Sequence, residues 1–135
     1  MMIEIMPCYY GYSLIEILIA LAIVAILASV AYPTYTHHIM TARRKHAALI
    51  LLSIAERMED YRSIHGDYRN ATVASLNANT DDQPYYKFMI QSNADQHYLL
   101  KALPIKSQRN DPCGTLEINE LGVKAAFGRD PANCW

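Results

Sequence analysis

Nineteen residues run from Leu14 to Tyr32, and Glu16 is the only charged side chain among them. A carboxylate in hydrocarbon costs about 3 kcal/mol even on the gentler insertion scales. An acid placed there therefore needs a partner. Two plainer roles compete with pairing. Glu16 can favour the positive end of a helix dipole, or it can lie at a headgroup boundary and never enter lipid. Gly11 stands five residues ahead of it, with no other glycine nearby.

Other reactive side chains give no catalytic pattern. No Ser–His–Asp, HExxH or CxxC spacing occurs, and the histidines at 37, 38, 46, 65 and 97 are scattered, so no enzymatic activity, cofactor or metal is expected. His37 and His38 are adjacent, and neighbours on a helix point about 100° apart; they read as surface residues. Asp81-Asp82 reads as a solvated loop, and Asn70-Ala71-Thr72 as a chance glycosylation pattern. Arg43-Arg44-Lys45-His46 is the one compact basic cluster. It could touch anionic headgroups, acidic residues of a neighbour or DNA, but its plainest reading is a solvated helix face. The net charge of −1 gives no bulk electrostatic case for nucleic-acid binding, which leaves DNA possible but unsupported. Tyr85, Tyr86 and Tyr98 read as core or interface residues.

Cys8 precedes the apolar run, while Cys113 and Cys134 bracket the C-terminal end. Two cysteines near the end of an exported domain suggest one disulfide with Cys8 left over, and two buried free thiols are the alternative. Closing that loop would stabilise the fold by about 3 kcal/mol in the loop-entropy model.

The secondary structure around these groups follows from pattern. As a helix, Leu14–Tyr32 would be about 28 Å long, close to the hydrocarbon thickness of a bilayer. A discarded signal peptide is the competing reading, with Ala28-Ser29-Val30-Ala31 as its cleavage site, but the front carries no Lys or Arg and the helical pattern continues past Tyr35. Residues 36–64 hold no Gly or Pro. Ala47, Leu51, Ile54, Met58 and Tyr61 form one apolar stripe, with His46, Ser53, Glu56, Arg57 and Asp60 on the other side. One long helix is expected, kinked at Pro33 and stopped at Gly66. Residues 67–84 read as a loop. Strand character follows at 85–91, 98–103, 115–119 and 123–127, with Glu120-Leu121-Gly122 as a tight connection. Short links imply an antiparallel meander, covered on one face by the helix stripe. The tail GRDPANCW is turn-forming.

The stretch GYSLIEILIALAIVAILASVAYPTY resembles the N-terminus of type IV prepilins and their pseudopilin relatives: Gly, an aromatic, Thr/Ser-Leu-Ile-Glu, then a long apolar helix with a proline. The detailed match runs from Gly11 to Tyr35. The stretch ARRKHAALILLSIAERMEDYRSIHGDY and the ending DPCGTLEINELGV…CW are most similar to PilE-type minor pilins. The resemblance implies the α+β type IV pilin fold, a long helix on a four-stranded antiparallel sheet. It implies a leader at 1–11, a transmembrane and assembly helix at 12–35, and an exported head at 36–135. Within the head it implies helix to 65, loop 66–84, sheet 85–127 and a tail closed by Cys113 and Cys134. Prepilin peptidase would cut after Gly11, leaving Tyr12 as an N-methylated first residue and Glu16 as the fifth. The new amine would lie one helical turn from Glu16, the right sign and distance for the missing partner on a neighbouring subunit.

Two features depart from the family pattern. Leaders are usually basic, whereas this front has Glu4 and no Lys or Arg. The positive-inside rule applied to Arg43-Arg44-Lys45 favours the reverse orientation, but the exported cysteine pair and the cleavage motif overrule it. The implied role is a non-enzymatic minor pilin, held in the bacterial inner membrane by lipid and handed to other pilin subunits by an inner-membrane assembly platform, in a pilus serving twitching motility, adhesion or DNA uptake. A pseudopilin of type II secretion is the nearest alternative, a DNA-binding competence pilin the second, and a membrane-tethered enzyme the third.

Overall fold

In a computed structural model, residues 11–92 and 96–135 are described. The expected leader up to Tyr10, with Glu4 and Cys8, lies outside the described residues.

A single helix, α1, spans Leu14–His65. Its sequence is dominated by Ala, Leu, Ile, Met, Arg and Glu, which lose little on entering a helix or repay the loss by packing. It starts where the Ser13 carbonyl accepts the backbone N–H groups of Glu16 (3.0 Å) and Ile17 (3.3 Å). Pro33 lies inside α1 and cannot donate to the carbonyl one turn back. Around it, the Thr34 hydroxyl donates to the Val30 carbonyl (3.2 Å) and the Thr36 hydroxyl to the Pro33 carbonyl (2.9 Å). The helix stops at Gly66, whose φ is +83° and whose N–H donates to the Arg62 carbonyl at 2.8 Å.

The chain divides into two compact units, Met1–His37 and His38–Trp135. The described part of the first is the apolar half of α1, with every residue from 11 to 35 exposed.

The second unit contains the rest of α1 and four strands: β1 (Tyr86–Ser92), β2 (Tyr98–Pro104), β3 (Thr115–Asn119) and β4 (Lys124–Phe127). They form one antiparallel sheet in the order β1-β2-β3-β4, which is the expected meander. Register aligns the inward residues in rows. Ile90 faces Leu100 and Leu100 faces Ile118; Phe88 faces Ala102, Ala102 faces Leu116, and Leu116 faces Ala126. Alternate residues of a strand share a face, so these rows make one apolar surface. Ala47, Leu51, Ile54 and Met58 of α1 join it in a single buried core. Full burial of a side chain such as Leu51 contributes about 1.5–3 kcal/mol. Tyr61, at the end of the stripe, is only half-buried.

The segment after α1 is more than a solvated loop. Tyr68, Ala71 and Leu76 enter the core, and Tyr68 meets Tyr98 edge-on at 4.8 Å. A short 3-10 helix, Lys106–Asn110, links β2 to β3 and has no apolar periodicity that would announce it.

The disulfide Cys113–Cys134 closes the tail with a Cα–Cα distance of 5.7 Å. Beside it, Gly114 and Gly128 cross backbone against backbone. A Cβ on Gly114 would clash with the Phe127 carbonyl oxygen, and one on Gly128 with that of Pro112. Beyond the crossing, the Trp135 indole N–H donates to the Ala125 carbonyl at 2.8 Å, covering part of an edge strand that would otherwise present unpaired groups.

Candidate functional site

Gly11, Tyr12 and Ser13 precede α1 and are exposed, with Tyr12 78% accessible. Glu16 sits in the first turn of the helix. Ser13 and Glu16 have the Ser-x-x-Glu spacing of a capping box, and a carboxylate in this turn faces the positive end of the dipole. The dipole role is therefore available to Glu16 alongside any role in pairing.

From Leu14 to Tyr35 the helix is apolar all round and wholly exposed. It is long and apolar enough to cross a membrane. A helix apolar on every side must be covered by lipid or by other helices. One surface can serve for either cover, because both present hydrocarbon.

The expected site residues fall in two places. Gly11, Tyr12, Glu16 and Pro33 lie in the first unit, and Cys113 and Cys134 in the second.

The basic cluster requires a correction. Arg44 is buried, not solvated: its Nη1 donates to Asp111 Oδ1 at 2.6 Å. Arg43 is half-buried, with its guanidinium 3.4 Å from the centre of the Tyr85 ring. Lys45 and His46 remain exposed. Asp111 also accepts from the Cys113 backbone N–H (2.9 Å), the Tyr86 hydroxyl (3.3 Å) and Gln108 Nε2 (2.6 Å). Gln108 Nε2 reaches the Met40 carbonyl of α1 at 2.9 Å. Burial, reinforced by the Asp111 charge, raises the pKa of Tyr86 far above the ordinary tyrosine value, so it stays a neutral donor. This knot ties α1 to the disulfide loop. One signal for it was in the sequence: Arg44 is three residues before Ala47, in phase with the buried stripe.

A second latch joins β2 to the β3–β4 turn. His97 Nδ1 and Glu120 Oε1 are 2.6 Å apart, and the His97 hydrogen bond holds the Glu120 pKa below the usual range. Among the described residues no group of three or more His, Cys, Asp or Glu side chains could hold a metal ion.

Comparison with known proteins gives the following. Residues 33–117 match the family described as type IV minor pilin ComP, DNA uptake sequence receptor. Residues 6–32 match the prokaryotic N-terminal methylation motif. A fimbrial protein of Neisseria meningitidis serogroup A is 32% identical, covering 75% of this chain and 67% of its own. A type IV pilin structure from Shewanella oneidensis is 31% identical with a TM-score of 0.55, covering 71% of this chain and 97% of that one. The non-core minor pilin PilV of Neisseria meningitidis shares the fold, at 23% identity and a TM-score of 0.55, over 67% of this chain and 89% of its own.

Proposed function

Since the chain belongs to the type IV minor pilin family, a structural subunit of a type IV pilus, we propose that it works in three stages. It is first a precursor in the bacterial inner membrane, spanning it once through α1 with its head in the periplasm. Prepilin peptidase then cuts between Gly11 and Tyr12, and Tyr12 is N-methylated. The assembly platform finally moves the mature subunit into the filament, where the Tyr12 amine of one subunit and Glu16 of its neighbour neutralise each other and Pro33 lets the helix bend.

The observation that carries this reading is Glu16 in the first turn of an exposed helix half with no other charged side chain, shortly after Gly11 and Tyr12. Helices of neighbouring subunits replace lipid around that half, and a paired charge can then be buried at bearable cost. The protein's contribution is structural, with no chemistry of its own. Mass analysis of sheared filaments tests the reading: a chain beginning at methylated Tyr12 supports it, and a filament subunit retaining Met1–Tyr10 overturns it.

A second reading rests on the matched family model, whose description names a DNA uptake receptor. In it, the head contacts DNA during uptake. Three of the cluster's four residues already have partners, Arg43 on Tyr85, Arg44 on Asp111 and His46 on Gln83, so Lys45 and the cations outside the cluster would have to supply the contacts. A gel shift with purified protein tests it: binding that weakens steeply with salt supports phosphate contact, and absent or salt-independent binding dismisses it.

A further inference from the structure

The last turns of α1 and the segment after them form an open pocket of about 470 Å³, within the range of about 300–1,000 Å³ usual for small-molecule sites. Arg57, Tyr61 and His65 follow one another at intervals of four residues, and so do Asp60 and Ile64, so two adjoining rows share one helix face. Ser75 and Leu76 complete the lining. Several of these side chains are already held in place. Arg57 Nη1 donates to the Leu76 carbonyl at 2.9 Å, and the Tyr61 hydroxyl to the Arg69 carbonyl at 3.0 Å. The Tyr61 and His65 rings stack with centroids 4.0 Å apart.

Hydrogen-bonding capacity of both kinds is left over. Arg57 keeps guanidinium donors beyond the one bonded to Leu76. Asp60 is exposed, and its carboxylate has no ion pair among the described residues. His65 Nδ1 lies 3.0 Å from the Tyr61 carbonyl; a carbonyl only accepts, so Nδ1 carries the proton and Nε2 of the neutral ring is an acceptor. Beside these groups Ile64 is 77% exposed, and with the stacked rings it supplies an apolar surface. One arginine and one aspartate cancel in charge. An anion would meet Asp60 there, and a cation would meet Arg57. A neutral ligand that donates and accepts at neighbouring positions suits both, and a hydroxyl offers one donor and two lone pairs.

We propose that this pocket binds a neutral saccharide. Adjacent hydroxyls of one pyranose ring accept from Arg57 and donate to Asp60, while the C–H face of the ring lies against Ile64 and the Tyr61–His65 pair. This is a binding function of the head itself, separate from filament building, and it does not depend on how the subunit is assembled.

Saturation-transfer NMR on the full chain, kept in a detergent without sugar headgroups, provides the test. The probes are glucose, galactose, mannose and N-acetylglucosamine, with free serine as a zwitterion of similar polarity. At least one sugar should bind with millimolar affinity or better. Asp60→Ala should weaken that binding by about tenfold or more, the scale of a hydrogen bond to a charged group. Asp82→Ala, which alters an exposed aspartate outside the pocket, should leave it unchanged. Both variants should melt with wild type, which separates binding from folding. Failure of all four sugars to bind at tens of millimolar overturns the proposal, and serine bound in their place assigns the pocket to zwitterions instead. Sugar binding that Asp60→Ala leaves intact overturns it too, by placing the ligand elsewhere on the head.

Discussion

Arg44 and Asp111 stand 67 residues apart in the chain and 2.6 Å apart in space, both buried. Truncating one member leaves the other charge in the interior without its partner, which costs about 3–5 kcal/mol. Asp111→Ala should therefore be among the most destabilising single changes in the head, because Cys113, Tyr86 and Gln108 lose an acceptor with it. Chemical denaturation of the purified variant against wild type measures this, and a loss under about 1 kcal/mol, the scale of a solvated surface pair, would contradict the buried pairing.

The tail makes its own reporter. Trp135 is the only tryptophan, and it is half-buried next to a cystine. Reducing Cys113–Cys134 should add the mass of two hydrogens, shift the tryptophan emission to the red, and lower stability by about 3 kcal/mol on the loop-entropy model. Emission unchanged on reduction would mean that the bond to Ala125 holds Trp135 without help.

Gly114 has a φ of +61° and no room for a methyl group against the Phe127 carbonyl. Gly114→Ala should destabilise by more than the roughly 1 kcal/mol of an ordinary glycine-to-alanine misfit at positive φ. Gly122→Ala supplies the comparison, since its φ is also positive at +73° but its surroundings are open. Equal losses at both sites would show that conformation alone matters, and that the close approach does not.

Two changes separate processing from assembly. Gly11→Ala should leave an unprocessed precursor, read as a heavier chain by mass. Glu16→Ala should be processed and stay in the membrane yet be missing from sheared filaments, because the cationic amine then has no acid to meet. Normal incorporation of Glu16→Ala would end the pairing account.

Acid should weaken the His97–Glu120 latch. The Glu120 pKa lies below its ordinary value, chiefly through the bond from His97. Its contribution is thus fully present above the unfolded glutamate pKa of about 4.3 and is lost as the pH falls through the depressed folded value. The melting temperatures of wild type and Glu120→Gln should differ at neutral pH and converge in stronger acid. A difference that persists into strong acid would assign the effect to packing.

Much of the architecture was legible because it is written as periodicity. The stripe Ala47, Leu51, Ile54, Met58 marked the buried face of α1, and strand character at 98–103 and 115–119 marked two strands of the sheet, though not which of their faces turns inward. The same could not hold for Arg44. Its neighbours Arg43, Lys45 and His46 look like solvent, and its partner lies in a segment with no repeat. The Gly114–Gly128 crossing and the seat of Trp135 depend on how the tail folds back, which no local pattern encodes. At the N-terminal site the spacing of Gly11, Tyr12 and Glu16 was fully visible. The pocket at the end of α1 was not, since Ser75 and Leu76 come to Asp60 only through tertiary structure.

The strand order has a kinetic consequence. Each strand pairs with the one just before it in sequence, so every pairing closes a short loop, and low sequence separation favours rapid folding. A chain emerging from a ribosome or a translocation channel can thus add strands in the order they appear. The final covalent closure waits for Cys134, which follows every strand in the sequence.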